Sequence, residues 1–143
     1  MKIYNTLTNK IEEFMEIEKG KVKIYCCGPT VYDYPHIGNL RTFCAVDFLV
    51  RTFEYFNYEV IYVMNITDVD DKIIKNIKEQ KTSLKEYTLK YENIFFESIE
   101  KLNIRKANFY PKATEHINEM IEIIKKLLEK GIAYKTEDGS IYY

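Results

Sequence analysis

Between Glu59 and Asn65 the residues Val60, Ile61, Tyr62, Val63 and Met64 are all apolar. Successive side chains of a strand point to opposite faces, so a strand that is apolar at odd and even positions alike has to be covered on both sides, as inside a parallel sheet. An earlier run, Val22 to Cys27, alternates with Val22, Ile24 and Cys26 on one side and stops at Gly28-Pro29. Between the two runs Leu40, Phe43, Cys44, Phe48, Phe53 and Phe56 recur at roughly helical spacing, which predicts a helix beginning close to His36. Strand, helix and strand make a right-handed βαβ unit. Its two strand ends, carrying Cys27 and Thr67, face each other across the crevice where open α/β sheets place ligands.

Beyond the second run, Thr67-Asp68-Val69-Asp70-Asp71 precedes Ile73, Ile74 and Ile77, and hydroxyl and carboxylate groups there suit a helix start capped by Thr67 or Asp68. Leu84, Tyr87, Tyr91, Ile94, Phe95 and Leu102 predict a long helix. Ile117, Met120, Ile121, Ile124 and Leu127 predict another, capped near Thr114 and closed by Gly131. Ile132 to Tyr134 and Ser140 to Tyr143, around Asp138-Gly139, read as the start of a hairpin. No linker or repeat interrupts the 143 residues, and 46% hydrophobic side chains suffice for one core. The expected fold class is α/β: the first half of a Rossmann-like doubly wound parallel sheet, with helical segments and a C-terminal hairpin start. Because the second half of such a sheet is missing, the chain is expected to be a fragment.

Charge and cysteine usage bound the setting. Twenty-one basic and 22 acidic residues leave a net charge of -1, so no overall basic field points to nucleic acid. Three cysteines, two of them adjacent, make a poor disulfide framework. The N-terminus has no apolar signal core and no apolar run approaches the ~20 residues that cross a membrane. A soluble cytoplasmic protein is expected.

His36-Ile37-Gly38-Asn39 stands where a strand-following loop enters a helix, so an imidazole, a glycine and free backbone N–H groups meet at a positive helix end, a setting for phosphate. A capping histidine is the plainer reading of the tetrapeptide. Cys27 is open to two readings, a metal-ligating thiolate or a small apolar residue at a strand end. Cys26 points the other way and reads as core, as does Cys44 on the helix. Asp68, Asp70 and Asp71 read as dipole complements and no metal is assigned to them. His116, among Glu115, Glu119 and Glu122, reads as a solvated helix start, and the tyrosines as packing.

The run Cys27 to Asn39, the segment Asn65-Ile66-Thr67-Asp68-Val69-Asp70-Asp71-Lys72 and the segment Pro111-Lys112-Ala113-Thr114-Glu115-His116-Ile117 resemble, in order and spacing, segments of cysteinyl-tRNA synthetases. The similarity extends from Ile3-Tyr4-Asn5-Thr6-Leu7-Thr8 to Tyr143, and Cys27-Gly28-Pro29-Thr30-Val31-Tyr32-Asp33 is specific to the cysteine enzymes of class I. The resemblance implies that residues 1–143 are the N-terminal portion of the catalytic domain, with the rest of that domain and an anticodon-binding domain outside this chain. It implies a cytoplasmic monomer that uses Mg-ATP to activate L-cysteine and passes it to tRNA(Cys).

By the same resemblance His36 and Asn39 are catalytic, and Pro29, Thr30, Val31, Tyr32, Asp33, Tyr34, Pro35, His36, Ile37, Gly38 and Asn39 form the ATP-binding "HIGH" region, in which Gly38 lets adenine and ribose approach the backbone. Asn39 stands where the family has His, and its amide can still donate to phosphate. Gly28, Thr30 and Thr67 line the pocket for the cysteine substrate. Cys27 is the first ligand of one zinc per full-length subunit; a second cysteine and a His with a Glu one helical turn on, like the "KMSKS" loop, belong beyond Tyr143. An open zinc position would take the substrate thiol and reject serine's harder hydroxyl. Three other readings remain at this stage: a cysteine ligase of mycothiol biosynthesis, a small nucleotidylyltransferase, and a non-catalytic zinc- or nucleotide-binding module.

Overall fold

The structure, a computed structural model, describes all residues 1–143. Strands β1 (Lys2–Asn5) and β2 (Lys10–Glu13) form an antiparallel hairpin. Strand β3 (Lys21–Cys26), helix α1 (Ile37–Tyr55) and strand β4 (Glu59–Met64) follow, then helices α2 (Asp71–Gln80) and α3 (Leu84–Lys101). A 3-10 turn (Ala113–His116) leads into α4 (Ile117–Glu129), and β5 (Tyr134–Lys135) and β6 (Ile141–Tyr142) close the chain as the expected hairpin.

The βαβ unit is present as expected. β3 and β4 pair in parallel from Lys21↔Glu59 to Cys26↔Met64. Val22 and Cys26 of β3 and Tyr62 and Met64 of β4 are buried on one face, with Phe43, Val50 and Phe53 of α1 and Tyr87, Tyr91, Phe95 and Ile99 of α3. Phe43 meets Phe95 edge to face with centroids 5.3 Å apart. On the other face Ile61 and Val63 are only half-buried and Tyr25 is exposed, so the two-sided covering implied by β4 is supplied on one side within this chain.

α1 stops because Asn57 takes a left-handed conformation (φ 61°) that lets Tyr58 N–H reach the Phe53 carbonyl; asparagine tolerates that region better than most residues. α3 opens on a reciprocal cap, Ser83 Oγ accepting from Glu86 N–H while the Glu86 carboxylate accepts from Ser83 N–H. Phe14, just after β2, packs on Phe53 (4.8 Å) and Tyr58 (6.2 Å), which fastens the N-terminal hairpin to the end of α1.

Three features were not legible beforehand. The β1–β2 hairpin is built from short, half-polar strands (KIYN and KIEE) whose alternation is too brief to stand out. Residues 107–113 run parallel beside β4 as an irregular third member of the sheet, with bridges Val63–Phe109 and Ile66–Lys112. There the ladder is broken twice: Asn108 Oδ1 accepts from Tyr62 N–H in place of a backbone carbonyl, and Pro111 has no N–H to give. Asp47 delivers this segment by accepting from Arg105 N–H (2.9 Å) and from Arg51 Nε (2.7 Å), while Arg51 also donates to the Asn103 carbonyl.

Several expectations are corrected. Cys44 is exposed, as are Phe48 and Phe56, because α1 buries only the stripe through Phe43, Val50 and Phe53. The cap of α2 is Asp70, whose Oδ1 accepts from Lys72 N–H, and not Thr67 or Asp68. Thr114 does not cap α4; its hydroxyl and N–H are turned onto the buried Asp68 carboxylate. The apolar side chains Ile117, Met120, Ile121 and Ile124 of α4 are exposed, with none of the helix buried. No helix is long and apolar enough to cross a membrane.

Phe53→Ala is expected to cost about 3–5 kcal/mol, since the side chain is 2% exposed and holds both α1 and the N-terminal hairpin; the shift of the denaturant midpoint measures it. Cys27 and Cys44 are exposed whereas Cys26 is buried, and burial pushes the Cys26 thiol up. Alkylation with iodoacetamide near about pH 8 should therefore add two adducts to the folded protein and a third only after unfolding, read by intact mass.

Candidate functional site

The site grows from one close approach. Gly28, two residues past β3, lies so near β4 that a Cβ there would sit 1.7 Å from the Asn65 carbonyl oxygen. No other residue fits without moving backbone. Gly28 N–H donates to Asn65 Oδ1 at 2.9 Å. Past this point the two strand-following loops stay paired, Thr67 N–H donating to the Pro29 carbonyl (3.0 Å) and Val31 N–H to the Thr67 carbonyl (3.1 Å).

The loop from Val31 to Pro35 is then held from the helical side. The Tyr87 hydroxyl donates to the Tyr32 carbonyl at 2.6 Å and accepts from Asn76 Nδ2 at 2.7 Å, and desolvation raises the Tyr87 pKa. Lys72 lies 4.7 Å above the Tyr32 ring, and Tyr34 meets Tyr91 edge to face at 5.8 Å.

The loop ends in the cap of α1. His36 Nδ1 accepts from the N–H groups of Gly38 (3.1 Å) and Asn39 (3.4 Å), and Asn39 Oδ1 accepts from His36 N–H (3.1 Å). Because Nδ1 accepts, the ring proton sits on Nε2, which has no hydrogen-bond partner within the protein, and the imidazole is exposed. Asn39 likewise uses its oxygen for the cap and keeps its NH2 free to donate, so it serves the helix and still presents a donor. A Cβ on Gly38 would lie 2.9 Å from His36 Cε1, so this glycine makes room for the imidazole itself. The first turn of α1 has no acidic residue to neutralise its positive end.

These groups surround a cavity of about 330 Å³ lined by Gly28, Pro29, Thr30, Val31, Tyr32, Asp33, Tyr34, Pro35, His36 and Asn39, together with Tyr91 and Phe95 of α3. The structure thus brings together nearly all of the expected nucleotide region. Ile37 and Gly38 form the turn behind it and do not line it, and Ile37 is exposed. Thr67 is joined to the loop through its backbone and, like the exposed Cys27, lies outside the lining. Sequence marks Tyr91 and Phe95 only as members of the apolar stripe of α3; their spacing, four apart and following Tyr87, shows a stripe but not that its end faces a cavity.

Metal ligation is another matter. No three side chains among His, Cys, Asp and Glu converge to hold an ion. Asp68 is committed to Thr114 and Asp70 to the α2 cap, while His116 sits 4.0 Å from Glu119 on an exposed turn. Catalytic zinc sites take three protein ligands, so the donors in this chain do not hold one by themselves. Cys27 is accessible as a single thiol.

Residues 13–143 match the sequence model of the family described as tRNA synthetases class I (C) catalytic domain. The chain belongs to that family. It is 52% identical over all its 143 residues to a cysteine–tRNA ligase of Methanosarcina mazei, and 50% identical, again over its whole length, to the cysteine–tRNA ligases of Methanosarcina acetivorans and Pyrococcus furiosus. It spans about 30% of the length of each of these relatives. A class I synthetase catalytic domain is a Rossmann-like α/β structure, in keeping with β3, α1 and β4, and the small nucleotidylyltransferase reading falls away.

In this synthetase domain Gly28→Ala is expected to splay the two strand ends at a cost of at least about 1–3 kcal/mol. Chemical denaturation measures the loss, and faster amide exchange at Val31 and Thr67 locates it.

Proposed function

We propose that this chain carries the nucleotide- and cysteine-binding part of a cysteine–tRNA ligase whose remaining residues lie outside it, including the other strands of a doubly wound sheet and an anticodon-binding domain. In the first step a carboxylate oxygen of L-cysteine attacks the α-phosphorus of Mg-ATP and pyrophosphate leaves, giving cysteinyl-adenylate. In the second a hydroxyl of the tRNA(Cys) 3′-terminal ribose attacks the activated carbonyl and AMP leaves.

The observation that carries this reading is the His36 cap beside the cavity: an imidazole Nε2–H, the free amide of Asn39 and an unneutralised helix N-terminus in one place. Donors preset toward developing phosphate charge stabilise it without reorganising, the kind of contribution that is usually the largest in catalysis. Support for cysteine as the amino acid comes from the relatives, all ligases for it, and from the Cys27-Gly28-Pro29-Thr30 run. Gly28, Thr30 and Thr67 would hold the substrate. Cys27 would supply one thiolate to a zinc whose other ligands come from outside these residues, and bound zinc would select the substrate thiol. A monomer in the cytoplasm completes the reading. The whole-chain identity to tRNA ligases favours it over an amino-sugar ligase.

Cysteine-dependent ATP–pyrophosphate exchange by the full-length protein tests the proposal. His36→Ala is expected to lower kcat for exchange about 10²- to 10³-fold, as loss of a charge-stabilising donor does, while Asn39→His retains activity. Wild-type protein that shows no cysteine-dependent exchange would overturn the reading.

A further inference from the structure

Asn65 is outside the set of residues expected in the site, yet both ends of its side-chain amide are hydrogen-bonded to residues of that set. Its Oδ1 accepts from Gly28 N–H (2.9 Å) and from the Tyr25 hydroxyl (3.0 Å), and its Nδ2 donates to Thr67 Oγ1 (3.0 Å). A backbone N–H can only donate, so the Gly28 contact sets which end of the amide is oxygen, and the nitrogen is thereby turned to Thr67. The Thr67 oxygen, having accepted that bond, keeps its own hydrogen to give away. The backbone from which this hydroxyl projects is fixed, since the Thr67 N–H and carbonyl are both bonded to the loop, at Pro29 and Val31.

We propose that Asn65 is a positioning residue that sets the polarity of the Thr67 hydroxyl, presenting it as a donor to an acceptor oxygen of the amino-acid substrate. This rests on the cysteine-ligase reading, in which that acceptor is the cysteine carboxylate. Asn65 also ties this donor to the Gly28 backbone, one residue from Cys27, so the groups expected to meet the two ends of the substrate share one amide.

Asn65→Asp is nearly isosteric and keeps the acceptor for Gly28 and Tyr25, but it replaces the donor with an oxygen, and the Thr67 hydroxyl must then turn its hydrogen inward. In full-length protein, KM for cysteine in pyrophosphate exchange is expected to rise about tenfold, the worth of one hydrogen bond, with KM for ATP essentially unchanged. Thr67→Ser, which keeps the hydroxyl, should raise KM for cysteine less than Thr67→Val. Thr67→Val should raise KM for cysteine to a similar extent, and adding Asn65→Asp to it should raise it no further. Asn65→Ala, which removes the amide without adding charge, goes through the same cycle, so that a folding defect in one variant leaves the other to decide. Effects of Asn65 and Thr67 that multiply, or an equal rise in KM for ATP, would overturn the inference while leaving the ligase reading intact. Wild-type protein without cysteine-dependent exchange overturns both.

Discussion

The contact on which the site depends is the approach of Gly28 to the Asn65 carbonyl. Parallel strands normally diverge into separate loops once their ladder ends, because each must lead to its own helix. Here the pairing continues past Cys26↔Met64 through the Gly28–Asn65 contact to the Thr30–Thr67 bridge. The loops leave the sheet as one body, and only a residue without Cβ permits it. The direction of the loop carrying Tyr32, Asp33 and His36 is inherited from that departure.

A second constraint works from the opposite side. The Tyr32 carbonyl is reached by Tyr87 of α3, which is itself oriented by Asn76 of α2, so two helices outside the βαβ unit decide where the Val31–Pro35 loop lies. At its far end the loop is finished by His36, whose single ring does two jobs. One nitrogen satisfies N–H groups of the first turn of α1; the other has no partner within the protein, on a ring that borders the cavity. Capping and ligand chemistry are compatible here because imidazole has two nitrogens on opposite edges, and Gly38 leaves space for the ring to lie over the turn.

The apolar surface that stays open has a pattern. Ile61 and Val63 on the face of β4 opposite α1, the stripe Ile117, Met120, Ile121 and Ile124 on α4, and Tyr134 and Tyr142 of the last hairpin are all wholly or partly solvent-facing. Contiguous apolar faces of this kind mark places where further protein packs. The chain spans about 30% of its relatives' length, which accords with a strand, β4, that is apolar on both faces but covered on one.

The sequence by itself determined the βαβ unit, the helix start at His36 and the family, because period, breakers and a long specific run are local properties that a linear reading detects. It did not reveal residues 107–113 beside β4, the Asp68–Thr114 pairing, the exposure of Cys44 or the hub at Asn65. Each of these joins residues distant in the chain or depends on which side of a helix finds a partner. Asn65 shows the reason most plainly. An asparagine after a strand is, in sequence, an ordinary turn residue; only the arrival of Gly28 and Tyr25 from some forty positions earlier, at hydrogen-bonding distance, makes its two ends unequal and directs Thr67.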